Sequence, residues 1–395
     1  MKVLSLLVLL GAAEALRFRP RAASPRAIAA AFGIRNRMPA GTVSPLTIKS
    51  ALEESGSEPA PVPAKEVEEA PAAVDAEADK KAKLINMLKV GGYFALWYIL
   101  NIGYNIYNKK VLNAFPLPWT MALMQLAAGL LVFVPLWATG LRKAPKLSIP
   151  NVKTLLPLAS MHTAAHATAV LSLGAGAVSF THIVKAAEPA FSALFAALFL
   201  GQVFAAPVYA ALVPVIGGVA VASMKELSFS WMSFGNAMGS NTFSALRGIF
   251  AKKNMGNPVG ENMNAANLYA VLTCMGIGLL FPIALLTEGS KWAASWAAGV
   301  AAYGGKALLA KHMLFSGLFY YLYNEVAFLA LSKVNPVTHA VGNTIKRVVV
   351  ILASVVVFGT QMTPTAVAGS TVAIAGTLGY ALAKNAFPNK EPEKK

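Results

Sequence analysis

The sequence predicts an all-α polytopic membrane protein with about ten transmembrane helices in two inverted-repeat halves. Three observations predict this. The chain is 56% hydrophobic and only 13% charged, against about 25% charged residues in an ordinary soluble protein. Second, uncharged runs follow one another downstream of residue 85, at 111–141, 154–184, 189–224, 227–246, 262–287 and 348–383. A bilayer-crossing helix needs roughly 20 mainly apolar residues. Several runs therefore hold one span, and 189–224 and 348–383 each hold two segments turning near Pro207 or Pro364. A large soluble core is a poor alternative, because soluble helices keep a polar stripe toward water. Third, the chain echoes itself. Thr181-His182 and Thr338-His339 are 157 residues apart, Pro207 and Pro364 share that offset, and FLGQVFAAP (199–207) resembles FGTQMTP (358–364).

Taken in order, residues 1–16 (MKVLSLLVLLGAAEAL) join a lysine, a short apolar run and an A-x-A-like end, and read as a signal peptide. The next stretch carries six arginines and no acid between Arg17 and Gly41, and reads as a transit peptide. It leads into an Ala-, Glu- and Pro-rich linker expected to be disordered to residue 80. The transmembrane domain is expected over 84–386, followed by a polar tail, 387–395. Spans are expected at 86–108, 116–138, 152–174, 177–200, 207–224, 230–250, 265–286, 306–330, 334–357 and 364–384.

The net charge of +17 comes from 34 basic and 17 acidic residues. The basic residues lie mostly in the leader and the short connections, so membrane orientation and anion handling explain them better than nucleic-acid binding does. One cysteine, Cys274, offers neither an intramolecular disulfide nor a Cys-rich metal site, and is expected to pack. Neither a phosphate-cradling ATPase loop nor an H-E-x-x-H motif occurs. No catalytic residue, metal or cofactor is therefore expected, and the protein reads as a non-enzyme. Gly217-Gly218 is expected to permit close helix packing.

The candidate site lies where charge interrupts apolar sequence. Lys346 and Arg347 have no charged neighbour over 334–345 or 348–383. A charge at the bilayer centre costs about 2.5–3.5 kcal/mol on insertion scales, so two adjacent cations call for a reason. His339, Asn343 and Lys346 share one helix face, and Arg347 lies about 100° around from Lys346. In the fourth span, THIVKAAEP places Thr181 four residues before Lys185, with His182 beside them. Arginine offers a planar fork for two phosphate oxygens and lysine a compact point charge. Together they point to an anion site of high charge density. Tyr323 and Asn324 are neutral hydrogen-bonding candidates, with interfacial packing as the alternative; His166 is either a ligand donor or a packed core histidine. Snorkelling of Lys346 and Arg347 is the structural alternative for that pair. Glu188, three residues after Lys185, is placed for a same-face ion pair with it. Closing such a cavity when empty would bury unpaired cations, and this predicts strict exchange of one anion for another.

The blocks YNIYNKKVLNAFPLPW (104–119), AVSFTHIVKAAEP (177–189), MKELSFSW (224–231), FYYLYNE (319–325) and NPVTHAVGNTIKRVVVI (335–351) resemble the plastid triose-phosphate/phosphate translocator family of the drug/metabolite transporter group. The resemblance spans residues 86–385. It implies a ten-helix antiporter of the plastid inner envelope that exchanges inorganic phosphate for phosphorylated carbon compounds. It also implies phosphate-binding roles for Lys185, Lys346 and Arg347, with Tyr323 and His166 matching further family positions. A third-helix hydroxyl matches less closely: this chain has Thr168 followed by Ala169. The expected ligands are phosphate and three-carbon phosphorylated metabolites, with phosphoenolpyruvate or another sugar phosphate as the alternative and a nucleotide sugar behind these. Membrane lipid surrounds the protein; no nucleic acid and no obligate protein partner is expected. The paired leader resembles that of algae with complex plastids, although leucine stands where an aromatic residue often follows the cleavage site.

Overall fold

The computed structural model describes residues 73–254, 259–331, 334 and 336–388. The signal peptide expected at 1–16, residues 17–72 of the transit and linker region, and the tail from 389 lie outside the described residues.

Ten spans cross in succession among the described residues. Span 1 is α1 (Ala73–Ala114), span 2 is α2 (Pro118–Ala138) and span 3 is α3 (Ile149–Ala175). Span 4 joins α4 (Val178–Val184), a 3-10 turn (Lys185–Ala187) and α5 (Glu188–Leu200), and span 5 joins α6 (Ala206–Ala210) to α7 (Leu212–Met224). Spans 6 and 7 are α8 (Trp231–Asn254) and α9 (Ala265–Glu288). A short helix, α10 (Trp292–Tyr303), precedes span 8, which is α11 (Lys306–Leu331). Spans 9 and 10 are α12 (Pro336–Phe358) and α13 (Pro364–Ala386). The sequence missed α10. It also placed 73–80 in the linker, where the helix of span 1 already runs.

Local chemistry explains the interruptions. Pro189 has no N–H to donate to the Lys185 carbonyl, so the ladder tightens and Glu188 N bonds that carbonyl instead. Proline also stands in the first turn of α6 and of α13, where a missing N–H costs nothing. Thr363 caps α13 by accepting from Ala366 N at 3.1 Å.

The helix packing shows the two halves. Span 3 packs on span 6 as span 8 packs on span 1, and span 2 packs on span 8 as span 7 packs on span 3. Spans 2 and 7, 4 and 9, and 5 and 10 pack directly on each other. These pairings are unchanged when each span is replaced by the one five places on. The starts of spans 3, 4 and 5 precede those of spans 8, 9 and 10 by 157 or 158 residues, matching the echo in the sequence. Five spans per half is an odd number, so the second half begins on the opposite face and is inverted.

Spans 5 and 10 touch backbone to backbone. A Cβ on Gly218 would lie 2.6 Å from Gly369 O, and one on Gly369 would lie 2.7 Å from Gly218 O. Gly217, by contrast, faces open space. Near the face where span 1 ends, charges answer helix termini. Lys109 Nζ donates to the carbonyls of Leu173 and Gly176 at 2.9 and 2.8 Å, at the end of α3. Glu288 accepts from Trp119 N, Thr120 N and Thr120 Oγ1 at the start of α2. Cys274, expected to pack, is exposed on α9.

Six spans (2, 4, 5, 7, 9 and 10) are long and apolar enough to cross a membrane on composition alone. Spans 1, 3, 6 and 8 are more polar because they carry Asn101, Asn105, His162, His166, Arg247 and Asn324 toward the centre.

Candidate functional site

A cavity of roughly 180 Å³ lies between spans 1, 3, 4, 6, 8 and 9. That set is again three pairs related by five places. Lys185, Arg247, Lys346 and Arg347 all line it, and Glu188 is the one carboxylate among its lining residues. Seven of the eight residues expected from sequence meet there: Lys185, Lys346, Arg347, Tyr323, His166, Thr181 and Asn343. Thr168 does not. Its hydroxyl donates to Ala164 O at 2.6 Å, and its methyl faces Gly239 of span 6.

Each cation is held differently. Lys185, on the 3-10 turn, donates to Ser240 Oγ of span 6 at 2.6 Å, and Ser240 in turn donates to Ala165 O at 2.8 Å. Lys346 Nζ sits 4.7 Å from the centre of the Trp97 ring, a cation–π contact that orients the ammonium without neutralising it. Tyr98 fixes the same helix by donating to Gly342 O at 2.8 Å. Arg347 Nη2 donates to Glu188 Oε2 at 2.9 Å. Glu188 therefore pairs with Arg347 across spans 4 and 9, and not with Lys185 three residues away. Spacing along one helix suggested the wrong partner because the 3-10 turn re-aims Lys185 toward span 6.

Arg247 is the cation that sequence reasoning missed. It donates through Nη1 to His162 Nδ1 at 3.2 Å. Guanidinium has no acceptor, so the His162 proton is on Nε2, which has no hydrogen-bond partner among the described residues. The available signal was that Arg247 alone ends the uncharged run 227–246.

Neutral groups refine the earlier expectations. His166 Nε2 lies 3.2 Å from Ala122 O, an acceptor only, so a neutral ring spends its N–H on the backbone. What it offers the cavity is the Nδ1 acceptor, the reverse of the expected donor. Its ring lies 3.9 Å from that of Tyr320. Ser172 donates to Ser233 O at 2.8 Å, so the 2.9 Å contact between Ser172 and Thr181 is a donation by Thr181. Thr181 thus ties span 4 to span 3 and keeps only lone pairs for a ligand. Tyr323 packs on Tyr104 and Tyr320, forming an aromatic wall. His339 leaves the cavity altogether and stacks on Trp97 at 5.1 Å.

A second cavity of about 400 Å³ adjoins the first, lined from spans 4, 9 and 10 by residues such as Ser192, Ala340, Tyr380 and Lys384. Glu188, Asn343 and Arg347 line both cavities.

Fold and site together define a two-half, ten-span membrane protein with a cationic chamber at the contact between its halves, the architecture of a secondary transporter for anions. The chain belongs to the Triose-phosphate Transporter family, whose model matches residues 88–381. It is 43% identical to glucose-6-phosphate/phosphate translocator 2, chloroplastic, of Arabidopsis thaliana over 75% of this chain and 76% of that protein. It is 40% identical to phosphoenolpyruvate/phosphate translocator 1, chloroplastic, of the same plant, over 79% and 76%. Identity to the triose phosphate/phosphate translocator, chloroplastic, of Zea mays is 36% over 97% of both chains.

Proposed function

We propose that this protein is a strict antiporter of the plastid inner envelope, exchanging inorganic phosphate for triose phosphate or 3-phosphoglycerate by alternating access. The observation that carries the reading is the convergence of Lys185, Arg247, Lys346 and Arg347 on one small central cavity containing a single carboxylate. Four cations, Arg347 buried and Lys185, Arg247 and Lys346 partly buried, stand against one anion, a deficit that a phosphate dianion offsets.

In this reading Arg347 presents its fork to two phosphate oxygens. Lys346 and Lys185 approach as point charges, the first steadied by Trp97 and the second by Ser240. His166 Nδ1 accepts from a substrate hydroxyl. The two halves rock about the loaded site, and each mouth closes only when the ligand compensates the cations. An empty carrier stays open, which couples the two directions of movement.

The volume of roughly 180 Å³ supports a three-carbon partner, since sites for drug-sized ligands run to about 300–1,000 Å³. A nucleotide sugar, which needs room for a base as well, would have to extend into the adjoining cavity of about 400 Å³. A second reading, a hexose phosphate or phosphoenolpyruvate as the carbon partner, draws on the 43% and 40% identity to translocators named for those compounds.

The test is uptake of labelled phosphate into proteoliposomes preloaded with dihydroxyacetone phosphate, 3-phosphoglycerate, phosphoenolpyruvate, glucose 6-phosphate or UDP-sugar. The three-carbon phosphates should drive the fastest uptake, and empty vesicles should take up none. Absence of exchange with every compound rejects the antiporter reading; a faster rate with glucose 6-phosphate or phosphoenolpyruvate reassigns the substrate.

A further inference from the structure

We propose that Glu188 is an internal counter-anion that trades places with the substrate phosphate on Arg347, and so releases phosphate from the site. This inference rests on the phosphate-antiporter reading above.

Three observations place Glu188 in this role. It is the one carboxylate lining either cavity among the described residues, and with Arg347 it stands at the boundary between them. Its partner is buried, with 8% side-chain exposure for Arg347 against 28% for Glu188. The acid is thus the more accessible member, able to swing out while the guanidinium stays. Third, Glu188 directly follows the 3-10 turn at Lys185–Ala187 and precedes Pro189, where the backbone lacks a regular α ladder. The two lysines of the site, Lys185 and Lys346, have partners that carry no charge, Ser240 and Trp97. Among these site cations, Arg347 is the one that Glu188 contacts directly as an ion pair.

A phosphate arriving at the central cavity must therefore displace Glu188 from Arg347 to use the guanidinium fork. A phosphate leaving is expelled as Glu188 returns. The pair also joins spans 4 and 9, which belong to different halves, so its making and breaking is tied to the relative position of the halves. Removing the carboxylate should hold phosphate more tightly and let it go more slowly. A merely structural ion pair would instead weaken transport without tightening binding.

The experiment uses the full chain in proteoliposomes and phosphate-for-phosphate exchange, so that the carbon substrate does not enter. KM for labelled phosphate and turnover at saturating phosphate are measured for the wild type, Glu188→Gln and Glu188→Asp. Glu188→Gln should lower KM about tenfold, equivalent to one competing charge contact, and lower turnover by a similar factor. Glu188→Asp should recover most of the turnover. An unchanged or raised KM in Glu188→Gln, or an undiminished turnover, overturns the proposal. If Glu188→Gln does not fold, Glu188→Asp decides: its shorter reach should lower KM two- to threefold (about 0.5 kcal/mol), and a raised KM overturns the proposal. A wild type that exchanges no phosphate rejects the antiporter reading itself, and with it this inference; a wild type that does exchange leaves the variants to judge Glu188 alone.

Discussion

Lys346 and Trp97 meet across spans 9 and 1, with the ammonium 4.7 Å from the indole ring centre. A cation–π contact of this kind is worth about 0.5–2 kcal/mol and leaves the full charge available to a ligand. Trp97→Leu keeps the apolar volume but removes the ring. KM for phosphate in proteoliposome exchange should rise about three- to tenfold, while Trp97→Phe should stay closer to wild type. An unchanged KM in Trp97→Leu would remove Trp97 from the positioning of Lys346.

Lys185 and Ser240 form the corresponding tie between spans 4 and 6. Lys185→Ala deletes a charge-assisted contact, so phosphate exchange should weaken about 10- to 100-fold. Ser240→Ala leaves the charge but frees it to wander, and about a threefold loss is expected. Equal losses in the two variants would show that the serine, and not the ammonium, governs this wall.

Arg347→Lys preserves charge and removes the fork. Phosphate KM should rise about tenfold or more, with expression and melting temperature near wild type. Wild-type exchange by a folded Arg347→Lys protein would contradict bidentate recognition at this position.

The glycine crossing of spans 5 and 10 gives an internally controlled stability test. A methyl on Gly218 would clash with the backbone of span 10, whereas one on Gly217 would meet nothing within 4 Å. Gly218→Ala should destabilise by about 1–3 kcal/mol, seen as a lower melting temperature in detergent. Gly217→Ala should equal or exceed wild type, since alanine favours the helix by about 1 kcal/mol over glycine.

The spans were legible because bilayer crossing imposes length and apolarity directly on the sequence. The helices of spans 2, 7 and 10 begin within two residues of the expected starts. Helix α10 was not legible: its 12 residues are too short for a span, and no side chain caps its start. The cations of the site stood out wherever charge was rare on both sides, as at Lys346 and Arg347. Arg247 did not, because Lys252 and Lys253 follow closely and charge is not rare on that side. Partner choice was the least legible feature. Glu188 and Arg347 are 159 residues apart, and a single chain gives no sign of that contact. Hydroxyl roles such as that of Thr181 depend on which neighbour takes the proton, which only the packed network of Ser172 and Ser233 decides.

The five-span half, repeated upside down, has a consequence for how such a protein works. Each mouth of the chamber is built from the counterparts of the helices that build the other. A ligand entering from either face therefore meets nearly the same machine. Nothing in that plan prefers import to export. In the proposed exchange, net traffic through it belongs to the metabolism on either side, which sets the solute ratios, and the protein would contribute only the rule that one molecule is paid for with another.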